Sequence, residues 1–324
     1  MSPDLPADLR AALISAMEGA PRRNLAERAA RTSQAYRAGQ PSAGVIREAD
    51  DALAYALTRL PATYAACVTV LAEAARMTPG FAPATLLDAG AGTGAASWAA
   101  LEVWNSVAAV AWLDASAPFL ALAGRLAAEG PPPLRAPDVR RSDLTAAGDW
   151  PRSDLVVASY ALAEIPPEQQ AGVVGRLWDA SAGLLALVEP GTPAGYGRLL
   201  AARRGLIEAG ALILAPCQHE ADCPLTGSDW CHFSVRLPRS RDHRLAKGGE
   251  VPFEDERFSY LVAARPGIAT AARAPRILAP PRAGKPGIDL KLCGPLGLEQ
   301  RFVGRRDKPA HAVARRLDWG DVLP

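Results

Sequence analysis

From Ala84 onward the chain alternates short apolar runs with longer helical stretches, and this alternation limits its possible folds more than any other feature. The apolar runs are 84-ATLLD-88, 107-VAAVAWLD-114, 154-DLVVAS-159, 183-GLLALVEP-190, 211-ALILAP-216 and 258-FSYLVAAR-265, and helical stretches lie near 94–104, 116–129, 166–180 and 195–209. Strands that alternate with helices predict a parallel, doubly wound sheet. Ligands bind such a sheet at the carboxyl ends of its strands.

Composition and the positions of proline and glycine divide the chain into three predicted regions. These are a helical N-terminal subdomain (1–80), an α/β domain (81–265) that includes a Cys-rich insertion (216–249), and a basic connector followed by a small C-terminal β element (266–324). In the first region, apolar residues recur at three and four positions, and prolines such as Pro61 are expected to divide it into several helices.

The first twenty residues and the apolar runs bear on location. Asp4 and Asp8 precede any apolar run and no basic segment is present, which predicts neither a secretory signal nor an acid-poor transit peptide. No apolar run reaches the roughly 18 residues that span a bilayer. We therefore expect a cytoplasmic protein without membrane association. In a reducing compartment, clustered cysteines indicate metal binding or catalysis rather than disulfides.

The carboxy-terminal part of the chain is basic, although the whole chain carries a net charge of only +2. Residues 1–234 hold 18 Lys and Arg against 24 acidic residues, whereas residues 235–324 hold 18 against 10. Fourteen of these last 18 are arginine, whose planar group suits phosphate oxygens. This asymmetry predicts nucleic-acid contact. The alternative is an ordinary solvated surface.

A glycine-rich loop joins the first strand to the following helix in 86-LLDAGAGTGAASWAAL-101. Asp88, Gly90, Gly92 and Gly94 form the pattern D-x-G-x-G-x-G. Glycine lets the backbone turn sharply and approach a ligand closely, and the helix N-terminus offers free N–H groups. The loop resembles motif I of the class I S-adenosylmethionine-dependent methyltransferases, and this resemblance implies their Rossmann-like fold.

The remaining predicted cofactor contacts lie after the next two strands. Asp114 ends the second strand, where an acid binds ribose hydroxyls, and Asp143 lies where methyltransferases contact adenine. A dinucleotide site stays open, since Gly90, Gly92 and Ala95 also fit G-x-G-x-x-G/A, as does an empty structural turn.

Catalytic residues are not evident in 157-VASYALAEIPP-167, which follows the fourth strand. Tyr160 and Glu164 are the candidates, but packing or helix capping is the better explanation of each. No nucleophile–base pair is recognisable, so the catalytic residues are unknown.

Four of the five cysteines form a candidate metal site: Cys217, Cys223, Cys231 and Cys293. The first three are spaced C-x5-C-x7-C, with His219 and His232 among them. Zinc and iron–sulfur clusters both accept four thiolates. The tight knuckles of zinc sites are absent, so the irregular spacing favours the bulkier cluster, with zinc or unrelated thiols as alternatives. Cys67 is predicted to be a buried apolar residue.

Several segments resemble one known family. They are 183-GLLALVEPGTPAGYGRLLAARRGLI-207, 216-PCQHEADCPLTGSDWCHFSVRLPRSRDHRLAKGG-249, 292-LCGP-295 and 317-LDWGD-321. Together they are similar to the mitochondrial small-ribosomal-subunit methyltransferase-like family, which has bacterial members. The resemblance implies a 4Fe–4S cluster on the four cysteines and association with rRNA and proteins of the small ribosomal subunit during assembly. It implies the methyltransferase fold more securely than the activity, so S-adenosylmethionine-dependent methylation of rRNA stays open.

The resemblance also suggests how the basic region is used. The cluster would fix a basic arm against rRNA phosphates, formed by Arg236, Arg239, Arg241, Arg244 and Lys247. A bacterial cytoplasmic setting is expected, with the mitochondrial matrix as the alternative, and the protein is expected to be monomeric before docking. Two other functions stay open: a small-molecule or protein methyltransferase with structural zinc, and a non-enzymatic binding protein.

Overall fold

The computed structural model describes residues 3–37 and 42–323. Its helices are α1 (Ala7–Ala16), α2 (Arg22–Arg37), α3 (Ala49–Met77), α4 (Ala95–Val103), α5 (Ala117–Ala127), α6 (Pro132–Arg135), α7 (Pro167–Ala180), α8 (Pro193–Glu208), α9 (Arg241–Lys247) and α10 (Lys308–Ala314). Its strands are β1 (Thr85–Ala89), β2 (Ala109–Asp114), β3 (Asp138–Arg141), β4 (Ser153–Ser159), β5 (Ser181–Pro190), β6 (Leu212–Ala215), β7 (Phe233–Pro238), β8 (Phe253–Ala264), β9 (Arg276–Ile277), β10 (Arg282–Ala283), β11 (Gly287–Gly294) and β12 (Gly297–Gly304).

The central sheet has the strand order β3-β2-β1-β4-β5-β8-β6, and β7 pairs with the first half of β8. Strands β1 to β5 run parallel, while β8 lies antiparallel between β5 and β6. This order, with one reversed strand next to the last, is that of the class I methyltransferases, so the predicted fold class is confirmed. The sheet is mixed rather than wholly parallel, since β8 returns as a direct antiparallel neighbour of β5 and β6.

The N-terminal region is helical, but Pro61 does not end a helix. It lies inside α3, a helix of 29 residues that packs against α4, α5 and β8. A proline inside a helix costs one hydrogen bond and about 3 kcal/mol. Burial of most of α3, including Leu57, Leu60 and Leu71, offsets that cost. None of the helices among the described residues could cross a membrane.

The C-terminal region is a small sheet of β9 to β12 covered by α10. Strands β11 and β12 form an antiparallel hairpin in register from Gly287–Gly304 to Gly294–Gly297. Its buried apolar side chains form a core of their own: Ile277, Ile288, Leu290, Leu292, Val303 and Ala314. The predicted β element is therefore present, with a helix that the sequence reading did not include.

Candidate functional site

The glycine loop turns sharply between β1 and α4. Gly90, Gly92 and Gly94 have φ values of 74°, 54° and 80°, in the left-handed region that glycine adopts without strain. A Cβ on Gly90 would lie 2.8 Å from the Cβ of Ala161, so this position admits no side chain. Gly90 N donates a hydrogen bond of 2.7 Å to the carbonyl of Leu113, which ties the loop to β2.

Asp88 supports this loop from beneath. Its side chain is fully buried, and Oδ2 accepts hydrogen bonds from the backbone N and the Oγ of Ser97, at 3.0 and 2.7 Å. Burial raises the pKa of Asp88 to about 6, although the bonds from Ser97 oppose the shift. The expectation of a ligand-facing carboxylate is corrected here, because Asp88 holds the first turn of α4 and acts on a ligand only through the loop.

Asp114 and Asp143 lie at the carboxyl ends of the next two strands. Asp114 Oδ2 accepts from Gly92 N at 2.8 Å and Oδ1 from Ser116 N at 2.7 Å, and burial raises the pKa of Asp114. Asp143 is exposed, and its Oδ1 accepts from the N and Oγ1 of Thr145 at 2.7 and 2.8 Å. The loop and both acids thus share one edge of the sheet, where the fold places ligands.

Tyr160, after β4, is held in a buried ionic network. Its hydroxyl donates to Glu256 Oε1 at 2.9 Å, and Arg59 Nη2 contacts the same oxygen at 3.1 Å. Burial raises the pKa of Tyr160 well above its usual value, and the Glu256 charge raises it further. Tyr160 also has φ of 58°, unusual for a residue with a side chain. Sequence reasoning missed Arg59 and Glu256, because nothing in the sequence pairs α3 with β8.

Glu164, the other candidate catalytic residue, accepts hydrogen bonds from the backbone N and Oγ of Ser42. The contact joins the segment before α3 to the loop after β4.

The four predicted cysteine ligands line one cavity that is partly open to solvent. Cys217 follows β6, Cys223 and Cys231 lie in the long connection to β7, and Cys293 lies in β11. The cavity therefore lies between the Cys-rich insertion and the C-terminal sheet. His219 also lines it, whereas His232 is stacked on Trp230 with ring centroids 4.9 Å apart.

Burial raises the pKa of Cys217, Cys231 and Cys293, the last to about 11, and the neighbouring thiols add to each shift. Arg203 opposes the shift at Cys217. Each of these three sulfurs is therefore affected by other members of the set. At pH 7 these three thiols are neutral, and a bound metal would favour their thiolates.

Two polar side chains reach the sulfurs. Tyr196 Oη lies 3.1 Å from Cys223 Sγ, and His219 Nε2 lies 3.7 Å from Cys293 Sγ. Arg203 is buried and donates to the carbonyls of His219 and Ala221, at 2.6 and 2.9 Å, which fixes the loop between Cys217 and Cys223. Sequence reasoning missed Tyr196 and Arg203, which lie on α8.

The four thiols are a donor set that both predicted metal centres accept. Zinc and a four-iron cluster each bind four thiolates, and in the cluster each thiolate binds a different iron. Within residues 3–37 and 42–323, the structure shows no group of three or more Cys, His, Asp or Glu side chains that could hold a metal ion. Cluster binding stays a prediction.

The predicted basic arm is largely neutralised. Arg236 forms a two-bond pair with Asp255, at 2.7 and 2.8 Å. Arg239 and Lys247 both contact Glu254, at 3.1 and 2.5 Å. These three cations face acids because β7 and α9 lie against β8. The predicted arm therefore has less unpaired charge than its five cations suggest, and its contact with rRNA stays a prediction. Of the five, Arg241 and Arg244 form no ion pair with another described residue.

Comparison with known proteins identifies the family. The model of the family described as mitochondrial small ribosomal subunit Rsm22 matches residues 49–324. The chain belongs to the Rsm22 family. It is also 31% identical over 290 residues to the human protein named ribosome assembly protein METTL17, mitochondrial, covering 84% of this chain and 62% of that protein. The chain thus spans less than two thirds of that relative. The family resemblance read from the sequence is confirmed.

Solved methyltransferases overlap the Rsm22-family chain only loosely. Magnesium protoporphyrin IX methyltransferase from Synechocystis PCC 6803 is 17% identical, with a TM-score of 0.40 over 67% of this chain and 83% of that one. An O-methyltransferase family 2 protein from Planctomyces limnophilus is 15% identical, with a TM-score of 0.42 over 66% and 60%. Both overlaps are too low to indicate function.

The predicted location is wrong. A bacterial cytoplasmic setting was expected from the acidic start of the chain, but the Rsm22 family and the human relative are both described as mitochondrial.

Proposed function

We propose that this Rsm22-family chain is an assembly protein of the small ribosomal subunit that binds rRNA, carries a 4Fe–4S cluster and holds S-adenosylmethionine in its glycine loop. Family membership and the name of the human relative support the assembly role. One observation supports the proposed cluster most directly. Cys293 lines the same cavity as the three cysteines of the insertion, although it is about 60 residues farther along the chain.

The residues that would hold the cluster are Cys217, Cys223, Cys231 and Cys293. A bound cluster supplies a cross-link between the insertion and the C-terminal sheet, and closing so long a loop is where a cross-link stabilises most. The protein prepares the site through Arg203, which holds the loop carbonyls, and through the Tyr196 hydroxyl beside Cys223. The positive charge of Arg203 favours negative charge at the sulfur of Cys217.

For the cofactor, the glycine loop and Asp114 supply the contacts. The loop offers the free N–H groups at the N-terminus of α4, and its glycines have no side chains that would block a ligand. The carboxylate of Asp114 can accept hydrogen bonds from ribose hydroxyls. Asp88 maintains the loop, and Asp143 is the candidate adenine contact. The proposal assigns no catalytic residue, since Tyr160 is engaged with Glu256 and Arg59.

Anaerobic iron and sulfide analysis tests the cluster. We expect four irons and four sulfides per chain, with absorption near 400 nm, and near-complete loss in Cys293→Ser. Cys67→Ser is the matched control, because Cys67 is buried in α3 away from the cavity. A colourless protein that contains zinc would overturn the cluster, and so would equal iron loss in both variants.

Titration with S-adenosylmethionine and labelled methyl transfer onto immature small-subunit rRNA test the remainder. Binding of both cofactor and rRNA without transfer would support an assembly factor that uses its cofactor structurally. The absence of salt-sensitive rRNA binding would overturn the assembly role as proposed.

A further inference from the structure

One face of the hairpin of the C-terminal sheet is covered, and its other face is covered by the Cys-rich insertion at the Cys293 end but open around Phe302. Helix α10 and the small core cover one side. On the other side Arg282, Asp289 and Phe302 are register partners across β10, β11 and β12, so their side chains share a face. Phe302 is 55% exposed there, which is unusual for a phenylalanine in the middle of a paired strand.

The ring of Phe302 lies against glycine. A Cβ on Gly287 would lie 2.7 Å from the Cζ of Phe302, so the ring packs on the backbone of β11. Covering a glycine in this way stabilises a sheet, and it is the simplest structural role for the side chain. Because backbone occupies one side of the ring, the exposure measured for Phe302 belongs to the other side, which is a flat apolar surface.

Cations surround this ring. Arg305 N donates to the carbonyl of Pro286 at 3.0 Å, so the turn that carries Lys285 lies beside the segment that follows β12. Five exposed cations belong to these two turns and the adjacent strand: Arg282, Lys285, Arg305, Arg306 and Lys308. In the described ranges 3–37 and 42–323, none of the five has an ion-pair partner.

Two acids lie among these cations. Asp289 lies between Arg282 and Phe302 in the sheet, and Asp307 caps α10 by accepting from Ala310 N at 3.2 Å. The local balance is still five cations to two acids. The arm on β7 and α9 differs, since three of its five cations are paired with Asp255 or Glu254.

We infer that the C-terminal cationic face, formed by Arg282, Lys285, Phe302, Arg305, Arg306 and Lys308, binds a single-stranded segment of rRNA. This rests on the proposed function and assigns it to a surface other than the arm. An unpaired base stacks on the free side of the Phe302 ring, and the cations contact phosphates on both sides of that base. Exposed aromatic rings beside unpaired cations are how single strands are bound without sequence preference.

Neither a duplex nor a membrane surface fits this face as well. A duplex offers phosphates but keeps its bases stacked, so it leaves the ring unused. An anionic membrane would use the cations, but a ring lying flat on the sheet has no apolar depth to insert. Both alternatives are outcomes of the test.

The test measures binding of the full chain to a fluorescent, unstructured RNA oligonucleotide, to a duplex of the same length, and to vesicles containing one third phosphatidylserine. We expect Phe302→Ala to weaken single-strand binding by about 5- to 150-fold, the range for losing one stacked base. Phe302→Leu still covers Gly287, so a similar weakening with an unchanged melting temperature would assign the loss to stacking rather than to folding.

The double variant Arg305→Gln/Arg306→Gln tests the phosphate contacts, and Arg315→Gln/Arg316→Gln, two exposed arginines after α10 and outside the face, is its matched control. We expect the first pair to flatten the dependence of log affinity on log salt by about 0.7 per lost contact, and the control to leave it unchanged. If wild type binds rRNA but the variants at the face bind it equally well, the inference fails and the proposed function stands. If wild type binds no RNA, both fail. Tighter binding to duplex or vesicles would overturn the single-strand assignment.

Discussion

Replacing Arg276 with methionine should destabilise the protein through three segments at once. Arg276 is 2% exposed and donates from Nε to the carbonyl of Pro216 at 3.0 Å and from Nη1 to that of Gly320 at 2.7 Å. Its Nη2 contacts Glu73 on α3. One side chain therefore joins the N-terminal helices, the start of the Cys-rich insertion and the end of the chain.

The expected loss follows from what the substitution leaves behind. Breaking a buried ion pair from one side costs about 3–5 kcal/mol. Glu73 keeps a second partner, Arg76, so we expect the lower end, about 3 kcal/mol, for Arg276→Met. Arg76 itself is 42% exposed and bonds only to side chains, so Arg76→Met should cost about 1 kcal/mol or less.

Urea unfolding followed by tryptophan fluorescence at pH 7 measures both losses. The double variant Arg76→Met/Arg276→Met should lose more than the two single losses together, because only then does Glu73 lose every cationic partner. Equal losses for the two single variants would refute the reasoning, since they would mean that burial of Arg276 adds nothing.

The pH dependence of the Arg276→Met effect has a defined sign. Burial raises the pKa of Glu73, but the hydrogen bonds and charges of Arg76 and Arg276 outweigh it, so the pKa is lowered from 4.5. A carboxyl group with a lowered pKa contributes stability above its unfolded value, and this contribution is lost as the pH falls. The difference between wild type and Arg276→Met should therefore shrink below about pH 4.5.

Three further predictions concern the two candidate sites. Cys223→Ser should lower the melting temperature of anaerobically purified protein and remove its absorption near 400 nm; equal melting temperatures would contradict a stabilising cluster. Gly92→Arg should abolish binding of S-adenosylmethionine in calorimetry. The variant should stay folded, because a Cβ at this position meets no atom closer than 4.0 Å. Gly92→Ala is the control for the cost of a side chain at positive φ. Burial raises the pKa of Asp88 to about 6, above the unfolded 3.8, so the stability of wild type relative to Asp88→Asn should fall by about 3 kcal/mol as the pH rises from 4 to 6. A difference between the two proteins that does not change with pH would argue against a titrating Asp88.

The edge of the sheet that carries the glycine loop and Asp114, called here the cofactor edge, could be predicted because the sequence patterns that indicate it are local. Glycines after an apolar run fix the loop, and Asp114 ends the next apolar run. Carboxyl ends of parallel strands meet at one edge, so neighbouring strands bring such residues together without any knowledge of packing. Only the direction of Asp88 was misjudged, since a carboxylate beneath a loop and one facing a ligand have the same sequence pattern.

The basic arm was misjudged because its neutralisation depends on a strand that the sequence reading left out. Arg236 lies opposite Asp255 in the register of β7 with β8, and Glu254 lies opposite Leu237. The first half of β8 is charged and has no apolar run. The sequence of this half therefore predicts a loop. The pairing of β7 with β8, which neutralises part of the arm, could not be predicted from it.

The cysteine cavity and the cofactor edge are joined by β8. Glu256 on this strand accepts from Tyr160 and Arg59 beside the loop after β4. Three residues later, Ser259 Oγ donates a hydrogen bond of 2.8 Å to the carbonyl of Cys231. β8 also pairs with both β5 and β6, so it cannot shift without disturbing the sheet between the two sites. Cys231 and Tyr160 are therefore each hydrogen-bonded to a side chain of the same strand, at positions three residues apart.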